Sequence, residues 1–440
     1  MDPLEELMKD KDYLLNESKY FCMAPWVTMH FWPSGQAFPC CVVLPEGNNL
    51  KNDFMGNLNT SSVYDLWNSE PMKELRRNML ADKPSRACRR CYQQEKDADI
   101  RTLRVSLNED FGDMFDRAQQ TQEDGTHEDP RFFYWDVRFN NLCNLRCLTC
   151  GPQFSSQWYS DAKKAWNYKE PQLLELPKTF WDDALPAIKE VRHAYFAGGE
   201  PLITDEHYRM LDTWIEVGNT DLSISYTTNF TKTKLGKRNI FDYWNKFKNV
   251  NVGASLDDNW ERAEYLRKNT IWTDVVANRK QMLKESPDTR FFLSSTISAY
   301  NALHWPDFHK EWIEEGLVEP QSLNLTILTH PERQSIQLLP DEYKKQVADR
   351  WYKHIEYVEK AVLQIHPDWG HYDTSFIEGI IKFMYADSTF DTEFNEFLWN
   401  TKWFDKIRGN DAYEVYPELE QLKAFEIPPD DPRYKPARTY

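Results

Sequence analysis

Between residues 131 and about 330, six strand-like runs alternate with helical stretches, and this alternation constrains the fold more than any other feature of the chain. The runs are "FFYWDVRFN", "VRHAYFAGG", "LSISYTTNF", "VNVGASLD", "RFFLSSTIS" and "SLNLTILT". Between them lie "FSSQWYSDAKKAWN", "DEHYRMLDTWIEVG", "RNIFDYWNKFKN" and "DFHKEWIEEG", whose apolar residues recur at helical spacing. Such alternation argues for a parallel sheet with crossover helices. Six strands are too few for an eightfold barrel, so the expected fold class is α/β, an open, partial (β/α)6 barrel. Functional groups then belong at the C-terminal ends of the strands.

Directly after the first run comes "NLCNLRCLTCGP", which places Cys143, Cys147 and Cys150 in a C-x3-C-x2-C array. Three thiols at this spacing read as a metal site, yet an ordinary iron–sulfur or zinc site takes four protein ligands. No further cysteine follows Cys150. A 4Fe–4S cluster on three cysteines leaves one iron open, and an open position marks a reactive metal. A zinc site completed by a distant histidine or aspartate, or inert buried thiols, is the plainer alternative. The second run ends "YFAGGEPLIT". Gly198 and Gly199 clear space where a backbone must approach a ligand, and Glu200 places a carboxylate beside it.

The remaining chain divides around this core. Residues 1–107 are cysteine-rich and turn-rich, 108–130 read as a polar linker, 131–334 form the alternating core, and 335–440 read as a helical extension. Within the first part, "TMHFWPSGQAFPCC" predicts a hairpin, and "TSSVYDLWNSEPMKELRRNML" predicts one helix capped by Thr60 or Ser61. The start lacks an apolar export segment, and no run approaches the roughly 18 apolar residues of a membrane span, so a soluble, cytoplasmic protein is expected. With 53 basic against 70 acidic residues the net charge is −17, which disfavours a nucleic-acid partner lacking a local basic groove. In a cytosolic chain, eight cysteines crowded into the first third point to metal chemistry rather than disulfides.

The pairing of C-x3-C-x2-C with G-G-E-P resembles the radical S-adenosylmethionine (SAM) superfamily over roughly residues 131–335. That resemblance implies a 4Fe–4S cluster on Cys143, Cys147 and Cys150, with SAM chelating the open iron. It further implies reductive cleavage of SAM to a 5′-deoxyadenosyl radical that abstracts a substrate hydrogen. Gly198, Gly199 and Glu200 match the motif around the methionine amino group. Asn229 in "TTNF" matches the third strand end, where Phe230 replaces a common glycine. Ser255 and Asp257 match the element near the ribose, and Arg267 falls where an arginine often pairs with the SAM carboxylate. Thr149 stands where the family commonly has an aromatic residue against adenine. A reductant such as flavodoxin or ferredoxin is implied as a partner.

Upstream, Cys22, "GQAFPCC", "GNLNTSSVYDLWN" and "CRRC" resemble the auxiliary-cluster modules called SPASM and twitch, specifically the shorter twitch form. Those modules usually follow the radical SAM core, whereas here the match precedes it. The resemblance implies a second iron–sulfur cluster. Cys22, Cys88 and Cys91 would share it with one of two neighbours, since Cys40 and Cys41 on a strand point to opposite faces, and the P-C pattern favours Cys40. Arg86, Arg89 and Arg90 can offset the cluster's charge or simply form a solvated face. A zinc ribbon is the alternative for the module. The implied substrate is a peptide or small protein, alternatively a nucleoside or other small metabolite. A non-catalytic electron-relay or zinc-stabilised binding protein is the competing function class. No catalytic acid or base is legible.

Overall fold

The computed structural model describes residues 11–43, 55–98 and 102–434. The first ten residues, on which the expectation of a missing export segment partly rests, lie outside them. The strands are β1 (Thr28–Phe31), β2 (Ala37–Phe38), β3 (Tyr134–Val137), β4 (Arg146–Cys147), β5 (His193–Phe196), β6 (Ser223–Thr228), β7 (Lys234–Leu235), β8 (Arg238–Asn239), β9 (Asn249–Ala254), β10 (Arg267–Lys268), β11 (Arg290–Ile297) and β12 (Leu323–Ile327). Eight of them join in a mostly parallel sheet of order β12-β11-β9-β6-β5-β3-β1-β2. All six runs singled out from the sequence are strands of it. Their two-residue period is visible in burial: along β11, Phe291, Leu293, Ser295 and Ile297 are buried while the alternate residues are less so. The fold is mixed α/β.

By its contacts the chain divides into two compact units. One comprises residues 1–142, 173–225 and 246–250, the other 143–172, 226–245 and 251–440. This division does not follow the boundaries expected at 107, 130 and 334.

In the first unit, the N-terminal hairpin does not build a sheet of its own. β1 pairs with β2 antiparallel, His30 opposite Phe38, but also with β3 in parallel, Thr28 opposite Tyr134. Its strands are thereby extensions of the large sheet. Trp135 on β3 packs edge-on against Phe180 and Trp214, with ring centroids 5.9 and 6.4 Å apart. The expected single helix over 60–80 is two, Val63–Trp67 and Glu70–Leu80. Ser62 rather than Thr60 or Ser61 caps the first, in a capping box with Asp65. Pro71 fits the first turn of the second, where a missing N–H is harmless.

The segment 108–130 is not a linker. The helix Leu103–Phe111 runs into it, followed by short helical turns at Gly112–Met114 and Asp116–Gln119. Phe111, Phe115, Arg117 and His127 are buried. Arg117 is satisfied there by the Trp26 carbonyl at 2.9 Å and the Asp129 carboxylate at 2.5 Å. Polar composition suggested solvent, but these polar groups are consumed by long-range partners.

In the second unit, the C-terminal part is helical as expected, with helices Asp341–Ile365, Ser375–Ala386 and Phe390–Arg408. Trp351 is core, stacked on Trp305 with centroids 5.1 Å apart, whereas Trp369 is half exposed. No helix among the described residues is long and apolar enough to cross a membrane.

Candidate metal centres

The C-x3-C-x2-C loop of the second unit is pinned from two sides. β4 pairs antiparallel with β10, Cys147 opposite Arg267, and the Leu148 N–H donates to the Leu266 carbonyl at 2.8 Å. From the other side, the helical turn Ser156–Trp158 holds the loop's carbonyls. Trp158 Nε1 donates to the Cys147 carbonyl at 2.7 Å, and Ser155 Oγ to that of Leu145 at 2.5 Å. Cys143 and Cys147 are buried around Leu145, with Cys150 packed against them. Asn229 Nδ2 reaches to 3.9 Å from Cys143 Sγ and donates to Asn144 Oδ1 at 2.9 Å. Its carbonyl oxygen accepts from the Thr231 N–H and hydroxyl.

Phe230, beside Asn229, adopts a left-handed φ of +56° while fully buried. That conformation costs a non-glycine residue roughly 1–2 kcal/mol and accounts for the glycine common at this point of the resemblance.

Arg267 lies on β10, its side chain largely withdrawn from solvent. Its Nε and Nη2 donate to the two Asp257 oxygens at 2.8 and 3.0 Å, and Nη1 lies 3.7 Å from Cys147 Sγ. Asp257 also accepts the Thr296 N–H at 2.8 Å. The bidentate fork expected to meet a cofactor carboxylate is thus occupied by Asp257. Ser255 is buried, its backbone N–H bound to the Thr228 carbonyl at 2.7 Å. Burial pushes the Cys150 thiol up to about 12, helped by Cys147 and opposed by Arg267 and Arg408. Burial likewise raises Cys147, opposed by Arg267 and Arg408 and helped by Asp257.

The Gly-Gly-Glu turn lies in the first unit. Gly198 sits at φ +111°, a left-handed value that favours glycine, and a Cβ there would meet the Arg138 side chain. Gly199 has a different reason. A Cβ at that position would stand 2.1 Å from the Leu142 carbonyl oxygen. The space read from the sequence as cleared for a ligand is filled by the chain's own backbone. Next to it, the Glu200 N–H donates to that carbonyl at 2.7 Å. The Glu200 carboxylate is buried and caps the following turn, accepting from the Leu202 N–H at 3.1 Å.

A second group of thiols lies elsewhere in the first unit. Cys22, Cys40, Cys88 and Cys91 line one cavity, walled by Leu75, Met79, Leu103, Leu107 and the Arg104 side chain. Burial raises all four thiols, Cys40 and Cys88 to about 12. Each of the others raises Cys22 further, so the four feel one another's charge.

Cys41 does not line that cavity. Burial and the nearby Asp136 carboxylate raise its thiol, against Arg138. Neither cysteine lies on a strand: β2 ends at Phe38, and both lie in the turn after it. Burial would raise Asp136, yet Arg138 at 2.9 Å and His30 at 3.3 Å hold it down at about 2. Among the described residues, no three or more His, Cys, Asp or Glu are gathered so as to hold a metal ion.

Residues 22–92 match the family model of SPASM, an iron–sulfur cluster-binding domain. The four cavity cysteines all fall inside this matched stretch, which covers well under half of the chain. No curated protein matches. Among solved structures, native anSMEcpe with bound AdoMet and Cp18Cys peptide is 17% identical over 51% of this chain and 59% of its own, at a TM-score of 0.35. TYW1 with a lysine-pyruvate adduct bound is 14% identical over 52% and 70%, at 0.28. The chain therefore spans less than two thirds of the first of these. Likenesses this weak say nothing further about the chain.

Two arginines escaped sequence reasoning. In the first unit, Arg86, Arg89 and Arg90 are exposed, whereas Arg104 lines the cysteine cavity and favours the thiolate forms of Cys88 and Cys91. A Glu95 partner holds it in place, Nε–Oε1 at 2.9 Å. In the second unit Arg408, far along the chain, acts on Cys147 and Cys150. Neither stands near a cysteine motif, so no local signal announces them.

Proposed function

We propose that the chain is a radical SAM enzyme with an auxiliary cluster in its SPASM domain. The observation that carries the reading is the C-x3-C-x2-C loop: the buried Cys143 and Cys147 around Leu145, with Cys150 packed against them and the Arg267 guanidinium 3.7 Å from the Cys147 sulfur. Thiolates need such compensation when they leave water, and the donor set suits a soft metal cluster. Cys143, Cys147 and Cys150 would hold a 4Fe–4S cluster, and Cys22, Cys40, Cys88 and Cys91 a second one. When bound, the first cluster and SAM together supply reductive cleavage of the sulfonium and, through it, hydrogen abstraction from a substrate.

The chain's own residues then divide the work. Asp257 holds Arg267 against Cys147, so we infer that this pair orients the cysteine loop rather than binding the SAM carboxylate. Asn229 fixes Asn144 and offers its amide to Cys143. Leu145 and Trp158 keep water from the thiolates. Gly198, Gly199 and Glu200 remain the proposed methionine contact by resemblance, acting through the backbone that the turn braces. We read the six parallel strands of the alternating region as the partial (β/α)6 barrel, and the cysteine-rich hairpin with its helices as the auxiliary module placed before it.

Anaerobically reconstituted, reduced protein should convert SAM to 5′-deoxyadenosine, and a Cys143/Cys147/Cys150→Ala variant should not. Equal turnover by the variant would sink the assignment.

A further inference from the structure

The helix Phe390–Arg408 contributes no cysteine, yet its last residue is driven inward. Gly409, left-handed at φ +65°, ends the helix. The Arg408 side chain is only 1% exposed. Its Nε donates to Asp161 Oδ2 at 3.0 Å, while Nη1 and Nη2 have no hydrogen-bond partner among the described residues. The guanidinium lies 4.9 Å from the ring centres of both Trp158 and Phe404. Trp158 is the residue whose indole N–H holds the Cys147 carbonyl.

The charges here do not balance. Asp161, fully buried, is shared by Arg408 and by Arg146, whose Nη1 stands 2.8 Å from Oδ1. Two cations thus meet one carboxylate. Nearby Arg267 brings no surplus, because Asp257 neutralises it. A buried guanidinium with idle N–H groups is costly unless an anion completes it. Through Trp158, which holds the Cys147 carbonyl, and through Asp161, shared with Arg146 next to Cys147 in the chain, the Arg408 guanidinium is packed against the cysteine loop.

We propose that Arg408 is a positioning residue for the cluster on Cys143, Cys147 and Cys150, its surplus charge offsetting that of the thiolate-held iron and raising the cluster's reduction potential. The inference rests on the function proposed above. Net charge around a cluster is one of the terms that set its potential.

The test is an EPR-monitored redox titration of the reconstituted full chain, following the signal that responds to added SAM, with iron content as a control. Arg408→Met leaves the Arg146–Asp161 pair neutral and should lower the potential. The expected shift is at least tenfold in the oxidised-to-reduced ratio, about 59 mV for one electron. Asp161→Asn leaves both cations uncompensated and should raise it. Arg408→Lys keeps the charge and should lie close to wild type, which guards against an Arg408→Met protein that fails to fold. An unchanged potential in Arg408→Met with iron retained overturns the assignment. So do shifts of the same sign in Arg408→Met and Asp161→Asn, because a packing defect then explains both. A wild-type protein without a SAM-responsive cluster overturns the proposed function, and Arg408's role with it.

Discussion

Replacing Gly199 by alanine adds one methyl group at the point where the chain can least accept it. The new Cβ would stand 2.1 Å from the Leu142 oxygen, 2.8 Å from its carbonyl carbon and 2.9 Å from the Asn141 carbonyl carbon. All three are backbone atoms, so no side chain can swing aside. Relief requires moving the 141–142 backbone, which breaks the Glu200 N–H to Leu142 carbonyl bond. Overpacking of this kind costs about 1–3 kcal/mol, and the lost hydrogen bond about 1 kcal/mol. Against this, alanine lowers the entropy of the unfolded chain by about 0.4–1 kcal/mol. The net expectation is a loss of about 2–3 kcal/mol. Cys143 follows Leu142 directly, so iron content should fall as well. Gly379, inside the helix Ser375–Ala386, is the control, because a Cβ there meets nothing within 4 Å. Gly379→Ala should stabilise by about 0.8–1 kcal/mol. Urea midpoints of the two variants, taken at equal denaturant sensitivity, measure both effects. A Gly199→Ala protein as stable as wild type would refute the close-contact argument.

Cys40→Ala should lose or destabilise the SPASM-domain cluster while Cys41→Ala retains it, measured as iron and sulfide per chain. A larger loss from Cys41→Ala would reverse the ligand choice. Ser62→Ala removes the capping-box acceptor of the Asp65 N–H and should cost about 1 kcal/mol by urea denaturation. Stability should also fall as pH drops from about 6.5 towards 4. Burial, with Arg117 and Arg76 adding to it, lowers His127 to about 4. In that window the unfolded chain therefore binds a proton that the folded chain refuses. His127→Gln should flatten the decline, and an unchanged slope would mean that His127 does not set it.

The sheet strands were legible because their signal is local. A two-residue burial period needs only the strand itself, so β6 and β11 could be read from "LSISYTTNF" and "RFFLSSTIS". The spacing of Cys143, Cys147 and Cys150 is equally local, whereas the grouping of Cys22, Cys40, Cys88 and Cys91 came from resemblance. Strand alternation does not decide between Cys40 and Cys41, because β2 ends at Phe38, before either of them.

Sequence by itself determined the strands of the alternating core and the close spacing of Cys143, Cys147 and Cys150, because each depends on residues within a few positions of one another. Tertiary structure alone decided which distant residues complete each group. β1 pairs with β3 through hydrogen bonds that carry no side-chain signature. Gly199 is required by a carbonyl from another segment, not by its own dihedral angles. Arg104 and Arg408 read as ordinary helix arginines until burial strips their water and leaves thiols and carboxylates as their surroundings. Desolvation turns a surface charge into a structural one, and burial is a property of the whole packed chain.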